Sequence, residues 1–129
     1  SIGTSPNAEL TNSMLKSAID TLSADETPIV HSDRGCHYRW PEWISIMERA
    51  GLQRSMSRKG CSPDNAACEG FFGHLKTEFF YPRDWYDISI EEFIREIDQY
   101  MNWYRTDRIK QTLGYLSPLN YRRRMGVGV

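Results

Sequence analysis

The chain has 129 residues, enough for one domain with a modest core, and its 40% hydrophobic and 12% aromatic content is ordinary for a globular protein. No apolar run approaches the roughly 20 residues of a membrane helix, and nothing resembles a secretion signal, so a membrane-spanning chain is excluded and a cytoplasmic setting expected. A net charge of −1 excludes bulk electrostatic attraction as a reason to bind nucleic acid.

Taken in chain order, Ser5-Pro6 opens an amphipathic helix carrying Leu10, Met14, Leu15, Ala18, Ile19 and Leu22 at three- and four-residue spacing. A polar turn, Asp25-Glu26-Thr27, leads to a short strand over 28–31. That strand would hold Asp33 at its carboxyl edge, where α/β sheets place their sites. A helix over 41–50 presents Trp43, Ile44, Ile46 and Met47, and Gly51 ends it. A second strand over 52–57 and the loop Arg58-Lys59-Gly60-Cys61 follow. Alternation of helix and strand predicts α/β architecture with parallel strands.

The next helix starts with Ser62 as N-cap, Pro63 at its first position and Asp64 in its first turn, where the helix dipole favours an anion. Phe71, Leu75 and Phe79 form its buried stripe. At about 100° per residue, Glu69 and Lys76 fall within about 20° of each other, away from that stripe. Ser89-Ile90-Glu91-Glu92 is a capping box opening a long helix with Ile90, Phe93, Ile94, Ile97, Met101 and Tyr104 on one side. Ser117-Pro118 starts a last short helix that ends in Arg122-Arg123-Arg124, and 126–129 read as a disordered tail.

Any contact with DNA must come from local clusters: Arg54, Arg58 and Lys59; Arg105, Arg108 and Lys110; or the triple arginine. Interspersed acids make a solvated face the competing reading of each. Three cysteines, Cys36, Cys61 and Cys68, are an odd number and argue against a disulfide framework. With His31, His37 and His74 they lack the chelate spacing of a zinc site. Asp33 and Glu69, an acid at a strand tip and an acid on a later helix, are the candidate pair for holding a divalent metal.

The motifs around that pair narrow the reading. His31-Ser32-Asp33-Arg34-Gly35, Ser57-Arg58-Lys59-Gly60, Asp64-Asn65-Ala66 with Glu69, Phe71-Phe72 and Leu75-Lys76-Thr77-Glu78 resemble bacterial insertion-sequence transposases with a retroviral-integrase-like core. The resemblance continues through Tyr104, Arg108, Leu113-Gly114-Tyr115 and Ser117-Pro118 to Tyr121. It implies a truncated ribonuclease-H-like α/β fold with two short parallel strands and several helices. It also implies a catalytic Asp-Asp-Glu triad, with Asp33 as second acid and Glu69 as third.

No earlier acid sits on an apolar strand, since Asp20 lies in a helix and Asp25 and Glu26 in a turn. The first acid and the opening strands are therefore expected to lie outside this chain, which begins at Ser1 without methionine. Residues 1–125 would be the C-terminal part of the catalytic core. Cys61, Arg105 and Lys110 depart from residues common in the family.

The function that the resemblance implies is DNA transposition by cleavage and joining of phosphodiesters, with two Mg²⁺ or Mn²⁺ ions. Asp33 and Glu69 would bind metal, and Lys76, Arg58, Lys59 and His31 are the candidate DNA contacts. Transposon-end and target DNA, a second copy of the chain and an upstream helix-turn-helix unit are the implied partners. The alternative is a non-catalytic remnant that binds DNA or self-associates.

Overall fold

The computed structural model describes residues 1–127, the side chain of Ser62 excepted. Gly128 and Val129 of the expected tail lie outside the described residues, as does the capping hydroxyl expected of Ser62. The chain divides into two compact units, Ser1–Phe72 and Gly73–Val129.

In the first unit, α1 spans Ala8–Ile19. Its N-cap is Asn7, whose side chain accepts the Leu10 N–H at 2.8 Å. The helix thus starts two residues later than Ser5-Pro6 suggested, with the Asn7 side-chain oxygen taking the capping role. Strands β1 (Ile29–Ser32) and β2 (Gln53–Met56) pair in parallel, with His31 opposite Ser55. Parallel pairing needs a crossover, and α2 (Pro41–Arg49) provides it.

α2 ends as the sequence predicts. Gly51 adopts φ +65°, and the Leu52 N–H reaches back to the Met47 carbonyl at 3.0 Å. The core gathers Leu15, Trp43, Ile46 and Met47, with Ile19, Val30, Tyr38 and Leu52 packed against them. Along β1, Val30 and Ser32 are half-buried while Ile29 and His31 are exposed, the alternation of a strand with one covered face.

α3 (Ala66–His74) crosses the boundary between the units. In the second unit the chain widens into a π-helical turn, Leu75–Phe80, closed by the Tyr81 N–H on the Lys76 carbonyl at 2.8 Å. Phe79 is the centre of this unit's core. It is 1% exposed, and its ring centroid lies 5.0 Å from Trp85, 6.0 Å from Phe93 and 5.4 Å from Tyr100.

α4 (Ile90–Thr106) begins with the full capping box of Ser89 and Glu92. Its buried residue is Tyr100, whereas Ile90 and Met101, assigned to the apolar side by periodicity, are exposed. Tyr100 continues the Phe93–Ile97 row, and its hydroxyl donates to Glu78 Oε2 at 3.0 Å. A satisfied phenol lets the large ring win the interior position. After the left-handed pair Gly114 and Tyr115, Ser117 caps α5 (Pro118–Arg124). Gly126, at φ +72°, and Val127 close that helix through N–H bonds to Arg123 and Arg122.

Candidate active site

Asp33 follows the last residue of β1. The Ser57 N–H donates to the Ser32 carbonyl at 3.0 Å, so the ladder runs on to the residue before the acid. Asp33 Oδ1 accepts the Gly35 N–H at 2.8 Å, a local turn that fixes the carboxylate. The exposed side chain's second oxygen has no hydrogen-bond partner among the described residues.

Gly35 is glycine for reasons of space. A Cβ there would lie 2.9 Å from Asp33 Oδ1 and 3.3 Å from the Tyr38 ring. Its backbone, at φ −52°, would accept any residue.

Tyr38, which sequence reasoning passed over, packs beside the strand end, its ring next to Gly35. Burial raises its hydroxyl pKa first, and the nearby Asp33 carboxylate raises it further. The ring packs edge-on to Trp43 at 5.0 Å, and the Tyr38 carbonyl accepts Arg54 Nη2 at 3.0 Å. No motif spacing marks this tyrosine, because its role depends on two segments meeting in space.

Glu69 is exposed and makes no hydrogen bond or ion pair among the described residues. It shares the first unit with Asp33. Lys76, equally exposed and unpartnered among the described residues, belongs to the second unit and stands in its π-helical turn. His31 Nδ1 lies 2.9 Å from Ser55 Oγ across the strand pair.

Arg58 and Asp64 revise one sequence expectation. Asp64 sits in a 3₁₀ turn, Ser62–Asn65, ahead of α3. Its carboxylate is directed onto Arg58, accepting the backbone N–H at 2.9 Å, Nε at 3.1 Å and Nη2 at 3.0 Å. Hydrogen bonds to the charged form hold the Asp64 pKa down to about 2. A guanidinium fork matched to a carboxylate is a stronger partner than a helix dipole. Lys59 stands next along, exposed and without a partner among the described residues.

The second unit has its own charged group. Arg108 Nε donates to both oxygens of Glu78, at 3.1 and 2.8 Å, and Nη2 pairs with Glu78 Oε1. His74 Nδ1 lies 3.4 Å from each partner, and Tyr100 completes the set. The Arg108 side chain is 17% exposed, so of the cluster Arg105, Arg108 and Lys110 this member pairs internally. Burial, then the bond to Glu78, pushes the Tyr100 pKa up to about 12.

A fit to divalent ions rests on Asp33 and Glu69. Both offer hard oxygens with open valence, the donors that Mg²⁺ and Mn²⁺ prefer. Among the described residues no group of three or more His, Cys, Asp or Glu side chains is placed to hold a metal. All three cysteines are free thiols, and no helix is long and apolar enough to cross a membrane.

Comparison with known proteins bears on the same residues. Residues 69–125 match the integrase core domain family. The "Probable transposase for insertion sequence element IS1353" of Shigella flexneri is 57% identical over 126 residues, which cover 98% of this chain and 24% of that protein. A transposase-like protein of Haemophilus influenzae is 41% identical over 92% of the chain and 53% of its own length. The transposase for insertion sequence element IS904 of Lactococcus lactis is 31% identical over 95% of the chain and 49% of its own length.

The chain thus spans between about a quarter and about half of these relatives. No solved structure gives a significant match. The chain is similar along nearly its whole length to insertion-sequence transposases, and its α/β fold is that of an integrase-like, ribonuclease-H-like core.

Proposed function

We propose that this chain is part of the catalytic region of an enzyme that moves DNA, cutting a phosphodiester and joining the freed 3′-hydroxyl to a target. The observation that carries the reading is a pair of acids in one unit, Asp33 with one open oxygen and Glu69 with no partner among the described residues. Other exposed acids of the unit, Glu9 and Glu48 among them, also lack a partner among the described residues, and it is the motif positions of Asp33 and Glu69 that set this pair apart. Asp33 and Glu69 would hold the divalent ions, which when bound stabilise the attacking and leaving oxygens of an in-line displacement at phosphorus.

The chain's other residues orient and bind. Gly35 holds Asp33 through its N–H and leaves room for the carboxylate. Lys59 and Lys76 supply compact cations suited to backbone phosphates. Arg58 shapes the loop that carries Lys59, and His31 lies on the exposed face of β1.

Two carboxylates do not organise two ions, so a further acid must come from elsewhere. The 129-residue chain by itself is expected neither to cleave nor to join labelled transposon-end DNA in Mn²⁺. Turnover by the chain that disappears in Asp33→Asn would overturn that expectation. In the longer protein, Asp33→Asn and Glu69→Gln are each expected to abolish both steps while leaving DNA binding in place. Cleavage retained by either variant would end the catalytic assignment.

Self-association is part of the same proposal. Both strands of a two-stranded sheet have an open edge, and Ile29 on β1 is 61% exposed. A second copy would cover it at the lowest structural cost. Sedimentation over a hundredfold dilution range, on the order of micromolar and below, is expected to show a concentration-dependent species. A single monomeric species throughout would refute it.

A further inference from the structure

Two neighbouring cations, Arg58 and Lys59, lie just beyond β2 with different surroundings. The Cys61 N–H donates to the Arg58 carbonyl at 3.2 Å, and Gly60 takes φ +72°. This is a tight turn with Lys59 and Gly60 at its tip and glycine where a positive φ is required. The turn's base is anchored twice. On one side the Ser57 N–H continues the sheet onto Ser32, the residue before Asp33. On the other, Asp64 grips both the backbone and the side chain of Arg58.

That grip uses both Asp64 oxygens. Oδ2 accepts the Arg58 backbone N–H and Nε, and Oδ1 accepts Nη2. The Arg58 side chain is 77% exposed while that of Asp64 is 20% exposed. The arginine is accessible, but its charge is answered by a carboxylate in fork geometry. The lysine beside it has no such partner among the described residues. A cation already matched to a carboxylate releases little counterion on meeting DNA, whereas an unmatched one releases close to a full equivalent.

We propose that Asp64 is a positioning residue for DNA binding: by taking up the charge of Arg58 it fixes the base of the turn and leaves Lys59 as the cation that meets a backbone phosphate. This rests on the reading of the chain as a DNA-processing segment and deepens it. The turn springs from the same carboxyl edge of the sheet as Asp33, so a phosphate held by Lys59 is held at the acid's edge. The depressed Asp64 pKa means that the grip is in force throughout the physiological range.

The test is the salt dependence of binding to a fluorescent DNA duplex of arbitrary sequence. The proteins compared are the 129-residue chain, Lys59→Gln, and the double variant Arg58→Gln with Asp64→Asn. Each lost phosphate contact flattens the plot of log affinity against log salt by about 0.9. Lys59→Gln is expected to lose about that much. The double variant, which removes the pair together and leaves net charge unchanged, is expected to keep the wild-type slope because Lys59 still meets its phosphate, but to bind more weakly at every salt concentration because the base of the turn is no longer fixed.

A second measurement reads the grip without DNA. Asp64→Asn is expected to speed hydrogen exchange at the Arg58 amide by more than about tenfold. A double variant that flattens the slope as Lys59→Gln does would make Arg58 a phosphate contact and overturn the division of roles. An unchanged slope in Lys59→Gln, or unchanged exchange at Arg58, would overturn it as well. If the wild-type chain shows no salt-dependent binding, the DNA-processing reading itself fails, and the exchange experiment still reports whether Asp64 grips Arg58.

Discussion

The two units differ in how they treat their most prominent charged residues, although the first also holds the Arg58–Asp64 pair and the second the unpartnered Lys76. In Gly73–Val129, Glu78, Arg108, Tyr100 and His74 close on one another, and Arg83 pairs with Glu96 at 2.6 Å while lying 4.7 Å from the centroid of Phe79. In Ser1–Phe72, Asp33 keeps an open oxygen, and Glu69 and Lys59 have no partner among the described residues. The cores differ to match. One is an aliphatic and tryptophan cluster against a strand pair, the other a set of aromatic rings around Phe79. Charges that satisfy each other serve the fold, and charges left open are available to a ligand. The integrase core domain match, over 69–125, begins at Glu69 and otherwise falls mostly on the second unit, whereas Asp33 is marked by the motif His31-Ser32-Asp33-Arg34-Gly35 alone.

The comparison can be broken most directly at the cores. Phe79→Ala is expected to destabilise the second unit by about 4 kcal/mol, and Met47→Ala the first by about 3 kcal/mol. With two compact units, amide hydrogen exchange resolved by residue is the suitable readout, because a single melting temperature assumes one transition. Comparable loss of protection in both units from either substitution would show that the division is not energetic.

Glu78→Gln comes next, at about 2 kcal/mol, for loss of the charged bond to Arg108 and weakening of the bond to Tyr100. Arg108, through its hydrogen bonds, is the first cause of the lowered Glu78 pKa. A carboxylate depressed in the folded state contributes stability that is fully present above its unfolded value, 4.5, and lost as pH falls through the folded value. An acid titration of wild type should therefore lose second-unit protection below that pH, and Glu78→Gln should flatten the dependence. An unchanged acid profile in the variant would remove Glu78 from the account.

Gly35→Ala sharpens the role of the first unit. Its Cβ must displace the Asp33 carboxylate or the Tyr38 ring, an overpacking cost of about 1 kcal/mol. In the longer protein it should reduce DNA cleavage far more than DNA binding. Equal loss of both would mean that the glycine serves folding alone. The smallest effect on stability belongs to Glu69→Gln, within about 0.5 kcal/mol, since an exposed side chain without a partner has nothing to lose. A larger change on denaturation would reveal a structural role and weaken its assignment to metal.

Much of the local architecture is legible in the residues. Gly51 ends α2 and Ser89 with Glu92 opens α4 because capping is decided within a few residues of chain. The two strands and their parallel sense follow from β-rich runs separated by a helix. The motifs from His31 to Tyr121 carry the likeness to the insertion-sequence transposases.

What required the tertiary structure were the matters settled between distant segments. Tyr100 displaced Met101 and Ile90 from the interior because Glu78, far away in sequence, completes its hydroxyl. Asp64 turned from the helix dipole to Arg58, and Tyr38 joined Trp43 through its ring and Arg54 through its carbonyl. Periodicity and capping are properties of one segment and can be read along it. Which of several competing partners a polar group takes depends on distances that exist only once the segments are packed.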